Sequence, residues 1–343
     1  MTASSRLFAR MSAACAGAIV VLSLVAAPAA RAADKTFVMK LATATINDTQ
    51  HEWLKRFAAA VEKDSEGRIK AEIYPASQLG PIPRQIEGVQ FGSIQAFIGP
   101  PEFLVGIDAR YESLSAPGLF TSEDQDIRVI NDPVVQKLMF GLGQNKGIEG
   151  IAFAPISPSA FATRVPMRHL ADFKGRKMRV LASPFQLEMV RRMDASPIAM
   201  TLADVLPALQ QGAIDGGLAT ITVFTTMQYQ DAAKYVTETE QPYLNSLVIM
   251  NKKWLAGLPP DLQKIVRDDA AKVSQDVVPF VKDFVAKAYD VWKSKGGELI
   301  HLPPDEQAAM LAKISSIGED LSKDKPDLNA AVKLVFESAK RNK

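Results

Sequence analysis

Arg179 is the residue whose type and position best suit the chemistry of holding a ligand. It lies near the carboxyl end of a strand predicted over residues 175–181, just before Ser183 and Pro184, which predict a helix N-terminus. Ligands of open α/β sheets gather at the carboxyl ends of strands. An arginine there can hold a carboxylate through two parallel hydrogen bonds, and the amides of the following helix favour an anion. Spacing alone is also compatible with an arginine exposed on an edge strand.

Patterns typical of catalysis and metal binding are missing from the sequence. The three histidines, His51, His169 and His301, lie in separate segments, and His51-Glu52 is followed by Lys55 where a zinc-protease helix needs a second histidine. The glycines of residues 141–147 have the wrong spacing for a dinucleotide loop. No GxSxG elbow, phosphate-binding loop or metal-spaced Cys/His set is present. The sequence therefore favours binding over catalysis, with no cofactor and no metal site.

Composition and charge are those of a globular protein. The chain has 343 residues, of which 47% are hydrophobic and 23% charged, and this length exceeds what one hydrophobic core usually serves. Two lobes are therefore expected. The formal net charge is +2 and no block of Lys and Arg occurs, which argues against nucleic acid and against an anionic membrane surface as partners.

The first 32 residues have the features of a secretory signal. Arg6 and Arg10 form a basic start, residues 11–27 are apolar, and residues 30–32 read Ala-Arg-Ala, which predicts cleavage after Ala32. The alternative is an uncleaved anchor, because residues 11–30 carry no charge. Cys15 is the only cysteine, so the cleaved chain would contain no disulfide bond. We expect an exported, periplasmic protein.

The pattern of apolar residues after this segment predicts alternating strands and helices. Strands are expected at 36–42, 68–74 and 94–98, with a helix carrying Trp53 on its apolar face and another at 82–91. This β-α-β-α-β order implies a parallel sheet with helices on its faces.

A second α/β unit follows residue 150. Strands are predicted at 151–155, 175–181 and 214–217, with one helix starting after Ser183 and another between a capping box at residues 201–204 and Gly212. Two such units in series suggest two facing lobes.

The C-terminal third is predicted to be mostly helical. A long amphipathic helix over residues 261–295 should be kinked by Pro279, which removes a backbone donor. A short strand at 298–302 and helices from Asp305 and Asp327 complete the chain.

Five blocks of sequence carry a resemblance to a known family. Residues 172–180 read Asp-Phe-Lys-Gly-Arg-Lys-Met-Arg-Val, and further blocks lie, in the same order as in the family, at 66–80, 206–216, 234–237 and 250–260. Together they resemble the DctP-type solute receptors of TRAP (tripartite ATP-independent periplasmic) transporters, over essentially the whole chain after the signal.

The resemblance implies an α/β, two-lobed periplasmic-binding-protein fold, type II-like, with mixed, mainly parallel sheets and a ligand cleft between the lobes. It implies signal residues 1–32, lobe I at 34–156 plus 245–284, and lobe II at 157–244 plus 285–343. The long kinked helix would span both lobes. Ligand binding would close the cleft by hinge bending.

The resemblance also implies a ligand site. In the family an arginine at the position of Arg179 grips the ligand carboxylate. Where relatives place a ligand-touching asparagine, a second arginine and an aromatic residue, this chain has Ala219, Ser159 and Leu202. The remaining candidates lie on loops expected to face the cleft: Pro100, Glu102, Phe103, Thr49, Gln50 and Thr222. Glu102 would be the nearest acid if a metal bridged the ligand.

These departures favour a ligand with few hydroxyl groups, because hydroxyls without partners would cost on the order of 1–3 kcal/mol each. We expect a monocarboxylate, aromatic or branched, or a keto acid, rather than a sugar acid. The closed receptor would dock on the small and large TRAP membrane subunits. Two alternatives stay open: a periplasmic enzyme on the same scaffold, and a receptor that presents its ligand to a sensor.

Overall fold

A single mixed sheet organises the chain. The computed structural model describes residues 35–343, and the signal prediction for residues 1–32 lies outside that part. Within it the sheet has nine strands in the order β2-β1-β3-β8-β4-β7-β5-β6, with β9 paired to β8. The strands are β1 Phe37–Ala42, β2 Ile69–Tyr74, β3 Ala96–Gly99, β4 Ile148–Thr163, β5 Lys177–Val180, β6 Ser196–Ala199, β7 Gly216–Ala219, β8 Tyr235–Asn251 and β9 Glu298–His301.

Two long antiparallel strands connect the two ends of this sheet. β4 and β8 pair from Ile148↔Asn251 to Thr163↔Tyr235. β3 joins β8 at residues 247–250, whereas β7 joins β4 at residues 160–163. The strands β1, β2 and β3 therefore lie at one end of the long pair, and β5, β6, β7 and β9 at the other. The middle is irregular, with register shifts at Pro155/Ser157 and Pro158/Ala160.

Thirteen α-helices cover the sheet in the described residues. They are α1 Thr49–Asp64, α2 Ile82–Phe91, α3 Glu123–Ile130, α4 Pro133–Gly141, α5 Pro184–Arg192, α6 Leu202–Gln211, α7 Ile221–Thr226, α8 Lys252–Ala256, α9 Pro260–Asp276, α10 Val278–Ser294, α11 Pro304–Ile314, α12 Ile317–Ser322 and α13 Pro326–Arg341. Short 3₁₀ helices include Pro101–Leu104 and Ala109–Ser115, which follow β3. None of the described helices combines the length and hydropathy of a membrane span.

The predicted long helix is confirmed as two consecutive helices. α9 and α10 meet at Val277, whose backbone stays helical, and Pro279 lies in the first turn of α10. Proline has no N–H and is tolerated in a first turn, where that group has no partner within the helix. α9 packs against α1 and α10 packs against α7, so the kinked pair runs along both ends of the sheet.

Several sequence predictions need correction. β4 extends far beyond the predicted 151–155, and β8, α3, α4 and α12 were not predicted. The capping box at residues 201–204 is wrong, because the Thr201 hydroxyl donates to the Asp204 carboxylate at 2.9 Å and caps no backbone N–H. α6 nevertheless ends as predicted, at Gly212 in the left-handed conformation (φ +70°).

Residues 36–343 form one compact unit. One apolar cluster packs β1 and β3 against α1 and α9, with Trp53 and Phe57 fully buried at its centre. A larger cluster extends under the strands and helices of the other end. The lobe boundaries given by the sequence stay a prediction.

Candidate functional site

The cavity that contains Arg179 lies over the irregular middle of the β4–β8 pair. The space of this partly open cavity is about 450 Å³ when the solvent at its mouth is included, and Ile156 of β4 and Leu244 of β8 are part of its wall. Most of the remaining wall comes from the carboxyl ends of β1, β3, β5 and β7 and the residues just after them, as expected for an open α/β sheet, and α1, α2, α6 and α7 contribute one residue each. The lining residues are Ala44, Thr45, Gln50, Ile82, Phe97, Gly99, Pro100, Phe103, Ile156, Arg179, Leu181, Leu202, Ala219, Thr220, Val223 and Leu244.

β5 and its neighbours fix the side chain of Arg179. Its Nε donates to the carbonyl oxygen of Met200 at 3.0 Å, and Nη1 donates to the carbonyl oxygen of Leu218 at 2.7 Å. Nη2 makes no hydrogen bond to any residue in the part of the chain that the structure describes. The guanidinium is therefore anchored on one side by two backbone carbonyls, and its remaining donors are free to bind a ligand at the cavity wall.

The charge of Arg179 has no acidic partner among the described residues. The side chain is only 2% exposed, and it is the one charged residue in the described lining of the cavity. Burial lowers the pKa of Arg179, while the nearby Tyr229 opposes that change. The ordinary arginine pKa is so high that the group stays charged. A buried, unpaired cation is costly, and an anion held beside it would offset that cost.

The helix N-terminus next to Arg179 is used differently from the prediction. Ser183 caps α5, and its hydroxyl accepts from the backbone N–H of Gln186 at 3.3 Å. The backbone N–H of Phe185, however, donates to the carboxylate of Glu112. The expectation that the amides of this helix would bind the ligand anion is therefore wrong for Phe185, because a carboxylate of the protein already occupies its N–H.

The opposite wall carries a small polar network at the start of α1. The Thr43 hydroxyl donates to Oε1 of Gln50 at 3.1 Å, and the Thr45 hydroxyl donates to Asp48 at 2.8 Å. Asp48 in turn caps α1 by accepting from the backbone N–H of His51. Burial raises the pKa of Asp48. Thr45 and Gln50 of this network line the cavity, so this wall offers a hydroxyl and an amide but no charge.

Six of the ten predicted ligand residues line the same cavity. They are Arg179, Gln50, Pro100, Phe103, Leu202 and Ala219.

The other four predicted residues do not line it. Ser159 donates its hydroxyl proton to the carbonyl oxygen of Gln241 at 2.7 Å. The hydroxyl groups of Thr222 and Thr220 lie 2.9 Å apart, and the Thr49 hydroxyl is buried without a partner in the described part of the chain.

Glu102, the fourth, accepts from the Ser115 hydroxyl at 2.7 Å. Residues 35–343 contain no group of three His, Cys, Asp or Glu side chains placed to hold a metal ion.

Sequence reasoning missed ten lining residues, for two reasons. Thr45 and Thr220 each lie three residues after a predicted strand end, so the rule that located Arg179 could have found them too. Ile156 and Leu244 belong to strands whose length was not predicted, and no local signal places them opposite Arg179.

Comparison with known proteins places the chain among bacterial receptors. Residues 42–324 match the DctP family, described as "Bacterial extracellular solute-binding protein, family 7". The C4-dicarboxylate-binding periplasmic protein DctP of Rhodobacter capsulatus is 26% identical over 274 residues, which is 78% of this chain and 80% of that protein.

Solved structures of TRAP periplasmic receptors share the fold. One from Desulfovibrio salexigens, with bound orotic acid, is 24% identical and aligns with a TM-score of 0.84 over 90% of this chain and 100% of that chain. The sugar acid binding protein DctPAm from Advenella mimigardefordensis, in complex with galactonate, is 20% identical with a TM-score of 0.85 over 90% of this chain and 99% of that one. At these identities the structural likeness shows the fold alone.

Proposed function

Because the chain belongs to the DctP family of bacterial extracellular solute-binding proteins, we propose that Arg179 binds the carboxylate of a small, largely apolar organic acid. As a member of this family of periplasmic TRAP receptors, the protein binds small organic acids and is not an enzyme.

The free donors of Arg179 carry the proposal. A carboxylate facing Nη2 and the second N–H of Nη1 would receive two charge-assisted hydrogen bonds in parallel, the geometry that a planar guanidinium favours. It would also neutralise a charge that is 2% exposed and has no acidic partner in the described residues. A neutral solute would supply neither effect. These observations support an anionic ligand, and we take its anionic group to be a carboxylate because receptors of this family bind organic acids.

The rest of the cavity favours a ligand that is mostly apolar outside its carboxylate. Besides Arg179, the described lining contains only three polar side chains, Thr45, Gln50 and Thr220. The hydroxyl of Thr45 already donates to Asp48, which leaves even fewer donors. A sugar acid would bury several hydroxyls against Pro100, Phe103 and similar apolar groups, at about 1–3 kcal/mol for each one left without a partner.

Several structurally similar receptors hold sugar acids, among them galactonate and glucuronate, and one holds orotic acid, whose ring carries two N–H groups and two carbonyl groups besides its carboxylate. The apolar lining described here offers few hydrogen-bond partners for either set of polar groups. We therefore propose an aromatic or branched monocarboxylate, or a keto acid, as the ligand. Delivery would be to the small and large membrane subunits of a TRAP permease.

A thermal-shift and calorimetry screen tests the ligand class. Benzoate, orotate, 4-methyl-2-oxopentanoate, succinate, galactonate and glucuronate are compared at equal concentration, and benzamide serves as the neutral match for benzoate. A ligand that binds the folded state alone stabilises it by about 2.7 kcal/mol at a hundredfold excess over its dissociation constant. We expect the largest shift from a monocarboxylate or keto acid, and none from benzamide.

Two results would contradict different parts of the proposal. Strong binding of galactonate or glucuronate with no response to the monocarboxylates would overturn the ligand class and leave the anchor intact. Equal binding of benzamide and benzoate would show that no carboxylate is needed, and the assignment of Arg179 would fall.

A further inference from the structure

Two buried glutamates lie directly beside the cavity without lining it. Glu102 belongs to the 3₁₀ helix Pro101–Leu104 and Glu112 to the 3₁₀ helix Ala109–Ser115, and each is only 2% exposed. Both are on the chain segment that follows β3. Neither has a role in the anchoring of a ligand by Arg179.

Glu112 bonds across to the start of α5. Its Oε1 accepts from the backbone N–H of Phe185, and the Ser183 hydroxyl lies 3.4 Å from the same oxygen. A carboxylate at a helix N-terminus is stabilised by the free N–H groups and by the helix dipole. Glu112, distant in sequence, therefore serves as a second cap of α5 beside Ser183.

Glu102 reaches the same helix from the neighbouring 3₁₀ turn. Its Oε1 accepts from the Ser115 hydroxyl at 2.7 Å and from Nε2 of Gln186 at 3.4 Å. Gln186 also accepts from the backbone N–H of Leu181 at 3.0 Å. The second oxygen of Glu102 is buried and has no partner in the described part of the chain.

These bonds join two walls of the cavity. Pro100 and Phe103 flank Glu102 and form one wall, while Arg179 and Leu181 form the other just before α5. The chain needs more than 70 residues to pass from one wall to the other, so the walls are held together here by side chains and not by local sequence. Separation of the walls would break the hydrogen bonds that cross between them, from Ser183 and Phe185 to Glu112 and from Gln186 to Glu102.

Both carboxyl groups are buried, and the hydrogen-bond donors and the cation near them do not fully offset the cost of burying their negative charge. Burial raises the pKa of Glu102 to about 7 and that of Glu112 to about 7. The charge of Glu102 raises the pKa of Glu112 further, and the cation of Lys325, just before α13, lowers it. The hydrogen bonds from Ser115, Ser183 and Phe185 also favour the ionised forms, but they do not outweigh burial.

We propose that Glu102 and Glu112 are positioning residues that hold the two walls of the ligand cavity together, and that proton binding to this pair strengthens the closed arrangement. With the walls apart, both carboxyls would meet water and titrate near their ordinary pKa of 4.5. The joined form therefore binds protons more tightly. Its stabilisation is complete below the ordinary pKa and is lost as the pH rises through about 7.

Hydrogen exchange of the ligand-free protein tests this proposal independently of the ligand. The measured quantity is the protection factor of the peptide containing residues 181–190, corrected for the intrinsic pH dependence of exchange, from pH 6 to pH 8. For one carboxyl whose pKa moves from 4.5 to about 7, protection should fall roughly tenfold over this range. Glu112→Gln and Glu102→Gln mimic the protonated groups. Each leaves one titrating carboxyl and should make the fall smaller than in the wild type, and the double variant should flatten the pH profile.

Glu87→Gln is the matched control, because Glu87 is an exposed glutamate paired with Arg84. It should reproduce the wild-type profile. A wild-type profile without pH dependence, or Gln variants whose profiles keep the wild-type slope, would overturn the proposal. If the Gln substitutions changed protection by the same factor at every pH, the two glutamates would have a purely structural role. That result would also contradict the proposal. Two separate Gln variants guard against the loss of one to misfolding.

Discussion

Replacement of Arg179 by alanine should abolish carboxylate binding while the protein stays folded. The free Nη2 and the second N–H of Nη1 can make two charge-assisted hydrogen bonds to a carboxylate, each worth about 1.5–3 kcal/mol. Their loss amounts to roughly 3–6 kcal/mol, which weakens binding by a factor of at least a hundred. Arg179→Lys keeps a charge but not the planar fork, so we expect an intermediate loss.

Isothermal titration calorimetry with the best acid from the screen gives the dissociation constant, and thermal melts give the stabilisation. At a ligand concentration one hundred times the wild-type dissociation constant, the wild type gains about 2.7 kcal/mol. A variant bound a hundredfold more weakly gains about 0.4 kcal/mol under the same conditions, so most of the shift in melting temperature disappears.

Arg84→Ala is the control for this experiment. Arg84 is an exposed arginine paired with Glu87, and neither residue lines the cavity, so its loss should leave affinity unchanged. A dissociation constant for Arg179→Ala within about threefold of wild type would refute the reasoning, since roughly 0.7 kcal/mol is less than one charge-assisted hydrogen bond contributes.

Three further substitutions test other residues, of which Gly99 and Ala219 line the cavity together with Arg179. Asp126 accepts a hydrogen bond from Asn245 and its pKa is raised to about 7 by burial, so its stabilising contribution is lost as the pH rises through 7. Asp126→Asn should make the protein more stable than wild type at pH 8, on the order of 2 kcal/mol by urea unfolding, and parallel pH profiles would contradict this. A Cβ at Gly99 would lie 2.5 Å from Cζ of Phe97, so Gly99→Ala should destabilise the fold by about 1–3 kcal/mol and weaken binding; an unchanged melting temperature would count against it. Ala219→Asn adds an amide to the cavity wall and should improve binding of galactonate in calorimetry, while a variant that still ignores galactonate would place the selectivity elsewhere.

Helices whose ends are determined by residues adjacent in the sequence could be predicted from the sequence. α2 begins and ends at Ile82 and Phe91 as predicted, because Gly92 follows in the left-handed conformation that ends a helix. α5 starts after Ser183, whose hydroxyl and the following proline specify a helix N-terminus. Arg179 could be located in the same way, since its position depends on one strand and one cap.

The two longest strands could not be predicted, and the prolines explain why. Pro155 and Pro158 lie inside β4, and proline within a run normally argues against an inner strand. In the structure each of them borders a register shift, where regular ladder pairing is already interrupted. Only the pairing with β8, more than 70 residues away, makes this stretch a strand.

The residues that line the cavity also depend on the long-range pairing of β4 with β8. Arg179 provides the charge that attracts an acid, but Ile156 and Leu244, brought opposite it by β4 and β8, contribute to what surrounds the body of that acid. Since Glu112 occupies the backbone N–H of Phe185, the start of α5 does not offer that N–H to a ligand anion, and Arg179 is the charged group in the described lining of the cavity. A guanidinium can hold either a carboxylate or a phosphate through two parallel hydrogen bonds, so the choice between these anions depends on the rest of the cavity. The position of Glu112 therefore leaves Arg179 as the proposed anchor of the ligand anion, although Glu112 itself does not line the cavity.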